Sequence, residues 1–248
     1  MQIVATGTEP LPLGAWAAVR LGIWYLVIQL GLAVVLAIAL AVAQPGAISP
    51  DHFLSDDQLL FVMAIAMPAS AVFVWYRLAR NLPGGAWPAV VAALGWRLVP
   101  PRVLLLAGLS GALLALVYTF LLLPLFDSPT WDTSDISRML TGASAAGRVV
   151  FGVLAICIAP PVEEFIFRGV LLAGFGGAWG MWPGVAASTS LFALAHLSQL
   201  GNFWPAFVAI LVFGTVVSIV RLRSRSLLPG IALHACYNAV IVWSAFAG

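Results

Sequence analysis

Long apolar runs without a charged residue recur along this chain of 248 residues. The clearest run covers residues 21–43, where Gln29 is the most polar member. A run of about 20 apolar residues is long enough for a helix that crosses the hydrocarbon core of a bilayer. We predict seven such spans, at residues 21–43, 59–76, 103–126, 149–162, 183–200, 203–220 and 227–246.

The composition excludes a water-soluble globule. Hydrophobic residues make up 62% of the chain and charged residues 8%, whereas soluble domains have roughly 45–50% apolar and about 25% charged residues. There are too few polar side chains to cover a surface that faces water. We therefore expect an all-α polytopic transmembrane helical bundle of seven spans, or of eight if residues 160–182 form a separate re-entrant piece.

Two consecutive prolines lie at the end of the fourth run. Pro160 disfavours the helical conformation at Ala159, and Pro161 suits the first position of a new helix. We therefore expect a proline-broken helix here. Glu163 and Glu164 would then lie in the first turn of its second part, where the positive end of the helix dipole favours carboxylates.

The charges of the loops predict the orientation of the chain. Loops with several arginines alternate with a loop that has aspartates and no arginine, and arginine-rich loops favour the cytoplasmic side. This places the N-terminus in the cytoplasm and the C-terminus outside. Because the arginines are scattered at segment ends, the expected partner is a lipid bilayer and no nucleic acid. The basic residues are all arginines, which favours a bacterial inner membrane.

Ionisable groups within the apolar runs occur in three motifs near the C-terminus. Each such group costs a few kcal/mol at membrane depth, which makes it a candidate for a functional site. In the first motif, Glu164 and Arg168 are four residues apart and can pair on one helix face. Glu163 points about 100° away from Glu164 on a helix and is left free to face another group.

The other two motifs each contain a histidine. His196 follows Phe192 by four residues, and His234 precedes Asn238 by four, so that His234 and Asn238 share a helix face and present two N–H donors to one point. A histidine can instead be a packing residue, and an amide can join two membrane helices. The three motifs together indicate a polar site and not packing alone.

These motifs resemble those of the CPBP family of intramembrane endopeptidases, which includes the Rce1-type CAAX prenyl protease and the bacterial Abi proteins. The similarity covers residues 146–242 and extends to the flanking patterns Pro-x-x-Glu-Glu, Phe-Arg-Gly, Leu-Phe-x-x-x-His-Leu and Ser-Leu-Leu-Pro. The resemblance implies that residues 146–248 form a catalytic core. Residues 1–145 would then form variable N-terminal helices of the same integral membrane domain.

The resemblance also implies a glutamate-type protease that needs no cofactor. Glu163 would be the general base that activates a water molecule, and His196 would help to hold that water. His234 and Asn238 would donate hydrogen bonds to the oxyanion. The implied supporting residues are Glu164, Arg168 and Phe192. The expected substrate is a peptide or membrane protein, and its prenylation is left open.

Three other functions stay open at this point. Glu163, His196 and His234 could form the two-histidine, one-carboxylate site of a zinc-dependent membrane protease, although no His-Glu-x-x-His motif is present. A proton-coupled transporter could use the same groups as a relay, but the sequence has no second polar set to complete a path across the membrane. A non-catalytic membrane adaptor or immunity protein could keep the same fold.

Overall fold

The chain is almost entirely helical in the part that the structure, a computed structural model, describes. These residues are 13–44, 53–81, 91, 94–126, 135–197 and 203–247, and no strand occurs in them. The helices are α1 (Ala15–Ala43), α2 (Asp56–Asn81), α3 (Pro101–Leu125), α4 (Asp135–Gly142), α5 (Ala145–Trp179), α6 (Met181–Ala195), α7 (Trp204–Ser224) and α8 (Leu228–Ala247).

Six of these helices, all except α4 and α6, are long and apolar enough to cross a membrane, and α6 is a shorter apolar helix. The predicted polytopic helical bundle is thereby confirmed, and the protein is an integral multi-pass membrane protein. Each predicted span overlaps one of these seven helices. Residues 198–200, the end of the fifth predicted span, lie outside the described part of the chain.

The predicted break at the prolines is wrong, because α5 continues through them. Ala159 has φ −61° and ψ −48°, which is helical. The turns on both sides are wider π-helical turns, at Leu154–Ile158 and Glu164–Leu171. A proline ring clashes with the carbonyl four residues earlier in a regular α-helix, and a wider turn relieves that clash. Membrane helices tolerate proline when a neighbouring side chain bonds the freed carbonyl.

Two further predictions that depended on the break are also wrong. Because α5 begins at Ala145, Glu163 and Glu164 lie in the middle of a helix and not in its first turn, so the helix dipole gives no special stabilisation to their charges. A separate re-entrant piece at 160–182 is also wrong. Residues up to Trp179 belong to α5, and the chain turns at Gly180, whose φ of 91° is readily adopted only by glycine.

Small residues allow the helices to approach closely. Gly111 of α3 lies against the backbone of Leu233 in α8 and leaves no room there for a Cβ. Gly174 of α5 lies against Ala18 of α1 in the same way. Such close contacts are a common way for membrane helices to associate. The result places α5 at the centre of the bundle, in contact with α1, α2, α6 and α8.

Candidate active site

The three motifs predicted from the sequence come together inside the bundle. Glu163 Oε2 of α5 lies 3.7 Å from Nε2 of His196 and 3.7 Å from Nε2 of His234. His196 is the residue at the C-terminal end of α6, and His234 belongs to α8. Three separate helices therefore direct one carboxylate and two imidazoles to one point.

The spacing of these groups suits a bridging water molecule. A separation of 3.7 Å is too long for a direct hydrogen bond, and Glu163 Oε2 is a buried atom with no hydrogen-bond partner. A water oxygen can lie about 2.8 Å from Glu163 Oε2 and from either Nε2 atom at this spacing. The side chains of Glu163 and His196 keep 16% and 19% exposure, so the site is accessible from outside the bundle.

The second nitrogen of each histidine fixes how the ring faces Glu163. His196 Nδ1 lies 2.8 Å from the carbonyl oxygen of Phe192, and a carbonyl only accepts, so Nδ1 carries the proton and donates. His234 Nδ1 lies 2.9 Å from Glu164 Oε1 and donates to that carboxylate. Each Nε2 therefore faces Glu163, as a lone pair on a neutral ring or as an N–H on a protonated ring.

The predicted pair of Glu164 and Arg168 is formed in the interior. Arg168 Nη1 lies 3.2 Å from Glu164 Oε1, and both side chains are at most 1% exposed. The same guanidinium donates from Nη2 to the carbonyl of Gly214 at 3.0 Å. Because Glu164 Oε1 also accepts from His234, one carboxylate oxygen joins the arginine to a histidine of the site.

Phe192 packs between the arginine and the histidines. The Arg168 guanidinium carbon lies 4.4 Å from the centroid of the Phe192 ring, which is a cation–π contact. The His196 ring centroid is 4.5 Å from that of Phe192, and the His234 ring meets it edge-on at 6.0 Å. Phe192, which is 2% exposed, thus fixes the position of both histidine rings.

Asn238 lies beside the prolines of α5. Its Nδ2 donates to the carbonyl of Ala155 at 2.8 Å. The N–H of Ala159 bonds the carbonyl of Leu154, five residues back, and in that pattern the carbonyl of Ala155 would receive the N–H of residue 160. Pro160 has no N–H, so Asn238 supplies the missing donor. The amide keeps a second N–H for another acceptor.

Helix α7 contributes contacts to the site that no sequence motif predicted. Phe213 packs against the His234 ring, with centroids 4.8 Å apart. The carbonyl of Gly214 accepts from Arg168 and, at 2.7 Å, from Ser218 Oγ. A backbone acceptor has no sequence signal, although Gly214 and Ser218 are small residues four apart, a spacing that often marks a helix contact.

The geometry around Glu163 can be compared with that of a metal site. No group of three His, Cys, Asp or Glu side chains in the described ranges has the arrangement of a metal site. The ligand atoms of a tetrahedral zinc site lie about 3.3 Å apart, given bonds of about 2.0–2.1 Å, which is closer than the 3.7 Å between Glu163 Oε2 and each Nε2.

The comparison with protein families matches the segment that carries the three motifs. The family model of the type II CAAX prenyl endopeptidase Rce1-like proteins matches residues 145–240. An uncharacterized 24.3 kDa protein of Escherichia coli is 38% identical over 89 residues, which are 35% of this chain and 40% of that protein. The chain thus spans well under half the length of this curated relative. No solved structure matches the chain. The resemblance of residues 145–240 to the CPBP, or Rce1-type, family is thereby confirmed.

Proposed function

We propose that the protein is an intramembrane endopeptidase in which Glu163 activates the water that attacks the peptide bond. The observation that carries the proposal is the meeting of Glu163 Oε2 with the Nε2 atoms of His196 and His234. The match to Rce1-like endopeptidases supports the peptidase class. The glutamate mechanism, the oxyanion donors and the membrane face are our own inferences.

Glu163 acts as the general base of the reaction. A water held between Glu163 Oε2 and His196 Nε2 gives a proton to the carboxylate as its oxygen attacks the carbonyl carbon of the substrate. The tetrahedral intermediate then collapses, the C–N bond breaks, and the proton on Glu163 passes to the departing amine. A positioned acid–base group of this kind contributes about 10²- to 10⁴-fold to the rate.

His234 and Asn238 stabilise the oxyanion of the intermediate. His234 donates its Nδ1–H to Glu164, which holds the ring so that its Nε2 faces the oxyanion, and a proton on Nε2 makes that nitrogen a donor. The second N–H of Asn238 is the other donor. Fixed donors of this kind are most effective where water is scarce.

The substrate is a peptide or membrane protein of a bacterial inner membrane. The arginine-rich loops favour an α5 whose C-terminal end is in the cytoplasm, and Glu163 lies near the middle of this helix, so we expect cleavage at membrane depth. A prenylated and an unmodified form of one peptide are the two substrates to compare, because the site residues act on the peptide bond and not on a lipid group.

The decisive experiment measures cleavage of these peptides by the purified protein in lipid nanodiscs. Glu163→Gln keeps the size of the side chain and removes the base, so cleavage should fall by about 10²- to 10⁴-fold. Glu9→Gln, in the N-terminal region of the chain, is the matched control and should keep the full rate. Full activity of Glu163→Gln would show that the base is assigned wrongly.

Two further measurements distinguish the glutamate protease from a metalloprotease, a transporter and an adaptor. Loss of cleavage with a chelator, restored by zinc, would replace the glutamate mechanism by a metalloprotease. A proteomic comparison of membranes with wild-type and Glu163→Gln protein should show substrates that accumulate only with the variant. If neither peptides nor membrane proteins are cleaved by the wild type, the peptidase proposal is overturned in favour of a transporter or an adaptor.

A further inference from the structure

Helix α1 lies outside the segment matched by the family model, yet it packs a tyrosine against the helix that carries Glu163. Tyr25 of α1 is 7% exposed and packs in one apolar cluster with Val162, Phe165 and Ile166. These α5 residues precede and follow the two glutamates. Tyr25 therefore lies against the part of α5 that carries Glu163.

The α1 turn that carries Tyr25 packs on α5, because a Cβ on Gly22, three residues earlier, would lie 3.4 Å from the Leu171 side chain. A buried tyrosine hydroxyl usually has a hydrogen-bond partner. Within the described residues, the Tyr25 hydroxyl forms no hydrogen bond to the protein, and Glu163 Oε2 has no partner either. A phenylalanine would fill the same apolar cluster, so packing alone does not account for the hydroxyl.

The other charged or titratable groups around Glu163 come from different helices. His196 belongs to the end of α6 and His234 to α8, whereas Glu164 and Arg168 follow Glu163 on α5 and pair with each other. Tyr25 is the group that α1 contributes, and its O–H can donate a hydrogen bond to a carboxylate or to a water molecule.

We propose that Tyr25 is a positioning residue for Glu163. Its hydroxyl donates a hydrogen bond, through one water molecule, to the Glu163 carboxylate and so turns that carboxylate toward His196 and His234. The consequence for catalysis rests on the proposed function, whereas the contact itself does not. The N-terminal helices are then part of the catalytic machinery and not only a membrane anchor.

The variant Tyr25→Phe tests the proposal, because it removes one oxygen atom and keeps the ring. We expect kcat for peptide cleavage to fall about tenfold, with KM and the melting temperature unchanged. Tyr76→Phe is the matched control, since Tyr76 is exposed on α2 and its hydroxyl accepts from Arg80. It should leave both kinetic constants unchanged. A wild-type kcat in Tyr25→Phe would overturn the proposal, because packing does not need the hydroxyl.

A measurement independent of proteolysis separates this proposal from the proposed function. The infrared carboxylate band that disappears in Glu163→Gln belongs to Glu163. That band should shift in Tyr25→Phe and stay in place in Tyr76→Phe. A shift in a protein that cleaves nothing would refute the peptidase and keep the Tyr25–Glu163 contact, whereas an unshifted band would refute the contact.

Discussion

Two adjacent glutamates have different surroundings in this protein. Glu164 is fully buried, and one of its oxygens accepts from both Arg168 and His234. Glu163 is turned by the helical rotation of about 100° per residue toward a partly exposed site, where its Oε2 has no partner. The first carboxylate is thus held by the fold, and the second is available to a water molecule.

Arg168→Ala should lower thermal stability and expression. The substitution removes the arginine from a buried ion pair with Glu164, a loss that typically costs about 3–5 kcal/mol, and it removes the contact with Phe192. The measurement is the melting temperature in detergent, with Glu163→Gln as a control that should melt like the wild type. An Arg168→Ala protein of normal stability without activity would assign the arginine to the chemistry.

Gly214→Ala should destabilise the protein by about 1–3 kcal/mol. A Cβ at this position would lie 3.1 Å from Arg168 Nη2 and 3.3 Å from the Phe192 ring, in a region without free space. Gly31→Ala in α1 is the control, because no atom lies within 4 Å of its added Cβ. Chemical denaturation of both variants measures the difference, and equal stabilities would show that the surroundings of Gly214 can relax.

At this scale, spacing alone predicted the pair of Glu164 and Arg168, because both lie on one face of one helix. It did not predict the bond from Arg168 to the carbonyl of Gly214 or the place of Tyr25. Those contacts join helices that are far apart in sequence. How these helices are rotated relative to one another depends on the packing of the whole bundle, and the spacing of residues within one helix does not predict that rotation.

The central element is α5, which continues where the local rules for proline predict an interruption. The prediction failed because it considered one segment of chain in isolation. The π-helical turn at Leu154–Ile158 removes the clash, and Asn238 of α8 supplies the donor that Pro160 lacks. Asn238, on α8, thus stabilises the helical conformation of α5. A rule based on local propensity does not include a residue from another helix.

A double-mutant cycle tests this account of α5. Asn238→Leu should cost about 1–3 kcal/mol in stability, because it leaves the carbonyl of Ala155 without a donor. In a Pro160→Ala background, residue 160 regains an N–H, and the cost of Asn238→Leu should become smaller. Denaturation of the four proteins gives the coupling free energy. An equal cost in both backgrounds would show that the two residues act independently.

The whole molecule has two chemically different ends. At one end the segment before α3 meets the end of α7: Arg221 donates to the carbonyl of Leu94, and the N–H of Leu227 donates to that of Gly95. At the other end Asp57 of α2 accepts from the N–H of Ser144 before α5. The arginines of 97–102 and 221–225 therefore gather on one side of the bundle, as cytoplasmic arginines do.

This asymmetry leads to a prediction for the termini. If α6 and the six long helices all cross the bilayer, the two ends of the chain lie on opposite sides, with the N-terminus in the cytoplasm. In bacterial cells, an alkaline phosphatase fused to the C-terminus should be active, and a green fluorescent protein at the same position should be dark. The reverse pattern would contradict the orientation.

Within the described residues, apolar runs predicted the six long helices and the shorter apolar helix α6, because the bilayer imposes length and hydrophobicity on each one separately. The arrangement of the helices was not accessible in this way. It depends on contacts such as that of Gly111 with Leu233, which two distant segments make jointly.

The length of α5 connects the site to the surrounding lipid. A helix of 35 residues is roughly 50 Å long at about 1.5 Å per residue, whereas the hydrocarbon core is about 30 Å thick. The helix must tilt or extend into the headgroups to meet this mismatch, and its tilt changes with acyl-chain length. Because Glu163 lies on this same helix, a change in bilayer thickness would change the distance from its carboxylate to the histidines of α6 and α8.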